Sequence, residues 1–242
     1  MDGGTRAIVE LAWARHLGLA DEALHDAGGP RTARVDQRVV MFVRLWEHRV
    51  LLGPDWLLDR AEGVTDDVLV SGPGLLGLTA HPDQSGGAAP GRLIGEATLA
   101  YADAYLEHDD LEVVVVADDP QAVHDLERQC PPDDVTEVGL AGLAQRFVLL
   151  DESESATAGS GYAEWEGILA HLGVLVPPPT RREGLGTLAG AMAVNDALDS
   201  GLVPQWRYRP GNIASAALSR RLGFATVGTQ TTVLLGPPSS HT

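Results

Sequence analysis

What the chain lacks narrows it first. It has a single cysteine, Cys130, so an internal disulfide has no second partner, and a reducing compartment, the cytoplasm, is expected. No run of about 18 apolar residues occurs, so no membrane-spanning helix is expected. The opening residues MDGGTRAIVELAWARH carry no basic segment ahead of an apolar core, so a secretory signal is not expected. Basic residues are scarce: 17 Lys and Arg against 34 Asp and Glu, a formal net charge of −17. That balance argues against nucleic acid or an anionic membrane as the main partner. It leans toward a cationic acceptor such as an amine, although a merely acidic, soluble surface explains it more generally. No internal repeat is visible.

What is present is enough for a core. Hydrophobic residues make up 44% of 242, a length for one large or two small domains. Residues 5–25 read as an amphipathic helix carrying Ile8, Val9, Leu11, Ala12 and Trp13, with a break at Gly18. Arg38 to Leu52 is rich in β-branched and aromatic residues and is interrupted near Glu47 and His48, which predicts a hairpin. A short helix from Trp56 to Ala61 follows, then a strand near Val68 to Val70, a turn at Gly72-Pro73-Gly74 and a low-complexity loop over 81–92. Leu93 to Leu106 fits strand or helix. Residues 1–108 carry no chemical motif, and Trp46, Trp56 and His48 read more readily as packing than as a pocket lining.

The remainder is more regular. Leu111 to Ala117 predicts a buried strand. Asp119 and Pro120 start a helix through Gln129, which Pro131-Pro132 ends. A short helix over Val135 to Leu140 and a strand over Phe147 to Leu150 follow. Ala156 to Trp165 and Ile168 to Val176 form two strands joined at Glu166-Gly167. A helix runs from Leu185 to Leu198 and stops before Gly201. Val203 to Tyr208 is a strand, Ile213 to Leu222 a helix, and Ala225 to Leu235 a last strand. The tail 236–242 is expected to fray.

Within this half, Ile168 to Gly186 (ILAHLGVLVPPPTRREGLG) concentrates the chemistry. A strand runs into three prolines, two arginines and the pair Gly184 and Gly186, then a helix N-terminus. Free backbone N–H groups and the helix dipole favour an anion there, and glycine lets the backbone approach it. Val176-x-Pro178-x-x-Arg181-Arg182-x-Gly184-Leu185-Gly186 resembles the acyl-CoA signature of the GCN5-related N-acetyltransferase (GNAT) superfamily. Asn212-x-x-Ser215-x-x-Leu218-x-x-x-Leu222-Gly223-Phe224 resembles the family's later motif, a short helix ending in Leu-Gly-Phe. The resemblance covers roughly residues 111–235.

It implies an α/β fold with a mixed sheet: a GNAT acyl-CoA N-acyltransferase domain over 109–236 and a tail at 237–242. Residues 1–108 would form an N-terminal α/β cap or a degenerate half-GNAT subdomain. It also implies acetyl-CoA as cosubstrate and no metal. The cofactor would be held by Val174, Leu175, Val176, Arg181, Arg182, Gly184, Leu185, Gly186, Thr187, Asn212 and Ser215. The strand at Val174 to Val176 would pair with the pantetheine amides, opposite Val203 to Tyr208. Arg220 and Arg221 read as solvated charges or phosphate contacts.

The acid–base groups depart from the family pattern. Its usual base position is Ala170, and its usual tyrosine acid position is Ser219. His171, Glu166 and Glu164 are the substitutes nearby, with Tyr208 a further one, and the two carboxylates read equally as solvated turn charges. The leading expectation is an N-acetyltransferase acting on a small-molecule or peptide amine by direct transfer. A non-catalytic acyl-CoA sensor or assembly module is the alternative. A dinucleotide-binding oxidoreductase is the remote one, because Gly184-Leu185-Gly186-Thr187-Leu188-Ala189 also fits G-x-G-x-x-G/A. A homodimer stays open.

Overall fold

A computed structural model describes residues 1–25, 29–80, 91–112 and 115–236. In chain order its elements begin with helix α1 (Gly3–His16) and strands β1 (Thr32–Val35), β2 (Val39–Leu45) and β3 (His48–Gly53). Helices α2 (Asp55–Arg60), α3 (Asp66–Val70) and α4 (Gly72–Thr79) follow, then β4 (Arg92–Tyr101) and β5 (Val115–Ala117). Next come α5 (Pro120–Arg128), α6 (Pro132–Val138), β6 (Gln145–Leu150), β7 (Ala156–Trp165) and β8 (Leu169–Leu175). The chain ends with α7 (Leu185–Asp199), β9 (Val203–Tyr208), α8 (Ile213–Arg221) and β10 (Ala225–Leu234). From β5 onward the order is the one the sequence predicts, including the short helix, which begins at Pro132 and not at Val135. The sheet is mixed: β1/β3 and β8/β9 are parallel, whereas β2/β3, β5/β6, β6/β7 and β7/β8 are antiparallel. A doubly wound parallel sheet, which the oxidoreductase reading requires, is not what forms.

Two compact units result, and they do not divide at one point near residue 108. The first comprises Met1–Ala12, Ala100–Arg207 and Ile213–Ala225; the second comprises Trp13–Leu99, Tyr208–Asn212 and Thr226–Thr242. In the second, the strands run β1-β3-β2-β10-β4. Helices α2, α3 and α4 bury Leu57, Leu69 and Leu75 against Val40, Phe42, Leu51 and Val233 of that sheet. Thus Val68 to Val70 is helix, not strand. Gly72-Pro73-Gly74 is the first turn of α4, where Ser71 Oγ accepts from the Gly74 N–H at 3.1 Å. Burial of Leu69 overrides the β-branched propensity of its neighbours Val68, which is exposed, and Val70, and Pro fits a first helical turn as well as a loop. Helix α1 stops at His16, before Gly18 at φ +64°. The loop expected over 81–92 lies outside the described residues through 90, and so does the tail after 236.

In the first unit, β9-β8-β7-β6-β5 lie side by side. Asp119 caps α5 by accepting from the N–H groups of Gln121 and Ala122 at 2.9 and 3.0 Å. One face of the sheet buries Leu175 and Val148 with Val123, Leu126 and Leu140. The other buries Leu149 and Ala158 with Leu188 and Ala189 of α7. On that second face Ser160 Oγ donates to the Ala189 carbonyl at 2.5 Å, and Tyr162 Oη donates to Asp196 at 2.6 Å. Strand β5 is not the buried run the sequence predicts. Residues 113 and 114 lie outside the described residues, and Val115 is 59% exposed at the sheet edge.

Glycine sets how closely this unit packs. A Cβ at Gly161 would fall 2.2 Å from the Gln145 carbonyl oxygen of β6, an atom that cannot swing aside. Gly161→Ala is expected to destabilise the protein by about 1–3 kcal/mol through overpacking, read as a lower midpoint in urea at unchanged slope.

Candidate acyl-transfer site

Strand β8 pairs with β7 along its whole length, from Trp165↔Leu169 to Gly159↔Leu175. Strands β8 and β9 do not. They pair in parallel at Leu169↔Val203, Ala170↔Pro204 and His171↔Gln205, and no further. Four more residues of β8 and three of β9 continue unpaired, so the strands part like a wedge with His171 and Gln205 at its vertex. The edge of β8 facing the opening has no strand partner, so alternate N–H and C=O groups turn into it. A cleft here is lined by Leu172, Gly173 and Val174 of β8, Trp206 and Arg207 of β9, and Ser215 of α8.

Beyond the prolines, Arg182 takes φ +70° and Gly184 φ +90°, which folds the chain back into the first turn of α7. Among the described residues, the backbone N–H groups of Arg182 to Gly186 have no hydrogen-bond partner. That is a nest of five consecutive donors at a helix N-terminus. Gly186 is seated tightly: a Cβ there would lie 3.2 Å from Val176 and 3.7 Å from Leu218. A Cβ at Gly184 would meet nothing within 4 Å, so its side of the turn is open. Two expected ligands are committed elsewhere. The Thr187 N–H donates to the Gly184 carbonyl at 2.8 Å. Arg181 pairs with Asp134 at 2.6 Å, and its Nε donates to the Val176 carbonyl at 3.0 Å. Arg181 therefore ties this loop to α6, whereas Arg182 is exposed. Ser215 Oγ accepts from the Trp206 indole N–H at 2.9 Å and fixes α8 beside β9. Asn212 directly precedes α8, and its N–H donates to the Arg209 carbonyl at 3.0 Å.

The three acid–base candidates do not converge. Ala163 opposes His171 and Glu164 opposes Ala170 across β7/β8, so the imidazole and the Glu164 carboxylate leave opposite faces. Glu164 shares the Tyr162 face and is exposed. Glu166, at φ +55° in the β7–β8 turn, sits at the closed end, about 10 Å along the strand from the vertex. Only His171 is at the wedge. Ala170 and Ser219 are both buried. Sequence reading missed Gln205, fully buried at the vertex, and Tyr101, whose hydroxyl accepts from Gln205 Nε2 at 2.8 Å. A glutamine inside the apolar run Val203 to Trp206 was the available signal.

The comparisons belong beside this geometry. No protein-family model matches the chain, and no curated protein does. Solved structures do match. GNAT acetyltransferases are among them. A putative acetyltransferase from Novosphingobium aromaticivorans is 20% identical with a TM-score of 0.47, over 62% of this chain and 68% of that one. A GNAT acetyltransferase from Colwellia psychrerythraea is 15% identical with a TM-score of 0.45, over 62% and 58%. A phosphinothricin acetyltransferase from Sinorhizobium meliloti, solved with AcCoA, is 15% identical with a TM-score of 0.37, over 53% and 92%. With TM-scores below 0.5, these likenesses do not by themselves assign an activity.

Burial, and then the Arg207 charge, push the His171 imidazole down from 6.5 to about 4, while Gln205 opposes the shift. His171 is therefore neutral at pH 7. Because the unfolded chain takes up this proton first, stability falls as pH drops from about 6.5 to about 4, by roughly 3 kcal/mol for this group. Urea unfolding at pH 7 and pH 4.5 should show a smaller loss for His171→Gln than for the parent.

Proposed function

We propose that the chain is an acetyl-CoA-dependent N-acetyltransferase of the GNAT type, acting on a primary amine of a small molecule or peptide. The observation that carries this reading is the parting of β8 and β9 beside a nest of unpaired amides at the start of α7. The wedge and nest suit the two ends of an acyl-CoA. The nest and Arg182 would take the pyrophosphate, Glu183 to Gly186 through backbone N–H alone. The unpaired edge of β8 beyond His171 would hydrogen-bond the pantetheine amides through alternate residues, as a third strand would. The thioester then lies toward the vertex, where a β8 backbone N–H can polarise its carbonyl. A neutral amine attacks the carbonyl carbon, the C–S bond breaks, and the thiolate takes the proton the amine gives up. Positioning supplies most of the rate in this scheme.

Binding without turnover is the second reading, favoured by the methyl of Ala170 and the buried hydroxyl of Ser219 where acid–base groups would be expected. The chain contains no lysine, so besides its α-amino group no primary amine of its own competes with an added acceptor.

Calorimetric titration of acetyl-CoA, with NADH and NADPH as controls, tests the cofactor. Binding of acetyl-CoA alone is expected; binding of neither class would sink the proposal. Gly184→Val should weaken acetyl-CoA at least tenfold, because a β-branched residue resists φ +90° and re-aims the amides. Arg181→Ala should change affinity far less. Thiol release with a panel of amines then separates enzyme from sensor. Ser219→Ala should keep turnover within a few-fold, whereas a general acid would cost about a hundredfold.

A further inference from the structure

A gap between two strands faces both sides of the sheet, and here the two sides differ. Val174 of β8 points toward Gly186 at the start of α7, and Trp206 of β9 reaches Ser215 of α8. That is the side of the unpaired amides. His171, Gly173 and Arg207 alternate to the other side, where Gly173 lies against Val138 of α6. A cofactor whose anionic end sits at α7 leaves the α6 side for the acceptor.

Two opposite charges line the cleft there, Arg207 from β9 and Glu137 from α6. Arg207 stands two residues past the vertex and is half-buried, near enough to His171 for its charge to push that imidazole down. Burial also holds the guanidinium itself below its ordinary value, with Tyr101 opposing. Setting a cation into a cleft is costly, and this chain has only 17 basic residues against 34 acidic ones to place. A guanidinium presents five N–H donors in a planar fork, more than one neighbour takes up, and the fork matches a carboxylate.

We propose that the acceptor is an amine that also carries a carboxylate, and that Arg207 receives the carboxylate from the α6 side of the wedge. This rests on the acyltransferase reading above and names its substrate class. Glu137, exposed at the rim, draws in the ammonium form. A carboxylate held by the fork fixes the rest of the molecule, so that the amine is presented to the thioester near the vertex. An uncharged amide in place of the carboxylate forgoes the charge-assisted pair and binds more weakly.

The test measures coenzyme A thiol release with pairs that differ in this charge: phenylalanine against phenylalaninamide, β-alanine against β-alaninamide, and γ-aminobutyrate against γ-aminobutyramide. Rates are taken per concentration of neutral amine, and acetyl-CoA binding is followed by calorimetry. In the parent protein the carboxylate should be favoured at least tenfold in kcat/KM in the pairs that turn over. Arg207→Gln should raise the carboxylate KM at least tenfold and shrink the preference below threefold, with acetyl-CoA affinity unchanged. Arg207→Lys should keep part of the preference, and Glu137→Gln should raise KM for both members of a pair alike. Equal kcat/KM within every pair in the parent overturns the proposal without any variant. So does an Arg207→Gln protein that keeps the preference, or one that loses acetyl-CoA affinity instead, since Arg207 would then be a cofactor ligand. Acetyl-CoA binding without thiol release from any amine would overturn both this subsite and turnover, whereas failure of acetyl-CoA to bind would overturn the cofactor reading itself.

Discussion

A strand edge inside a sheet must find hydrogen bonds, and β8 gives up its partner after His171. Everything at the candidate site follows from that one unpaired edge. The groups exposed by the parting strands can pair with water or with a polar ligand of extended shape. The turn that returns the chain into α7 begins at the same end of β8. Its free amides therefore lie where an anionic tail attached to that ligand would emerge. In the proposed reading, one break in a ladder serves both as a rail for amides and as a seat for phosphate.

The break is held open by packing. Gly186 lets the start of α7 press onto Val176 and Leu218, and Ser215 takes the Trp206 indole hydrogen to hold α8 beside β9. Trp206 also packs on Phe224 with ring centroids 5.5 Å apart. Arg181, expected as a phosphate ligand, instead clamps the proline loop to Asp134 and to the Val176 carbonyl. An exposed pair of this kind contributes little stability, but it restricts where the nest points.

Polar groups at the vertex are the second consequence. Where two strands separate, the polar side chains of the last rung must find partners in one another and in neighbouring strands. Gln205 links Tyr101, through the hydrogen bond from its Nε2, to His171 in a short buried series. The same burial keeps His171 uncharged, which makes a neutral acceptor out of a residue that would otherwise titrate near neutrality. The carboxylates Glu164 and Glu166, on the preceding strand and in its turn, contribute nothing here because strand alternation and the hairpin turn carry them elsewhere.

The order of elements from β5 to β10 was legible in the sequence, because it depends on local signals: proline and glycine punctuation, Asp119 as a cap, and apolar runs of strand length. So was the turn of unpaired amides before α7, since Gly184 and Gly186 before a helical pattern define it within a few residues. Local signals failed where burial decided the outcome. Val68 to Val70 entered a helix because α3 and α4 share an apolar seat, and β5 lost its burial at a sheet edge. The units are discontinuous in the chain, with β10 lying beside β2 and not beside the strands it follows; no local pattern encodes such pairing. Which face His171 and Glu164 occupy, and that Gln205 meets both His171 and Tyr101, was settled only by tertiary register, because those contacts join residues 34 and 104 positions apart and depend on how far two strands stay together.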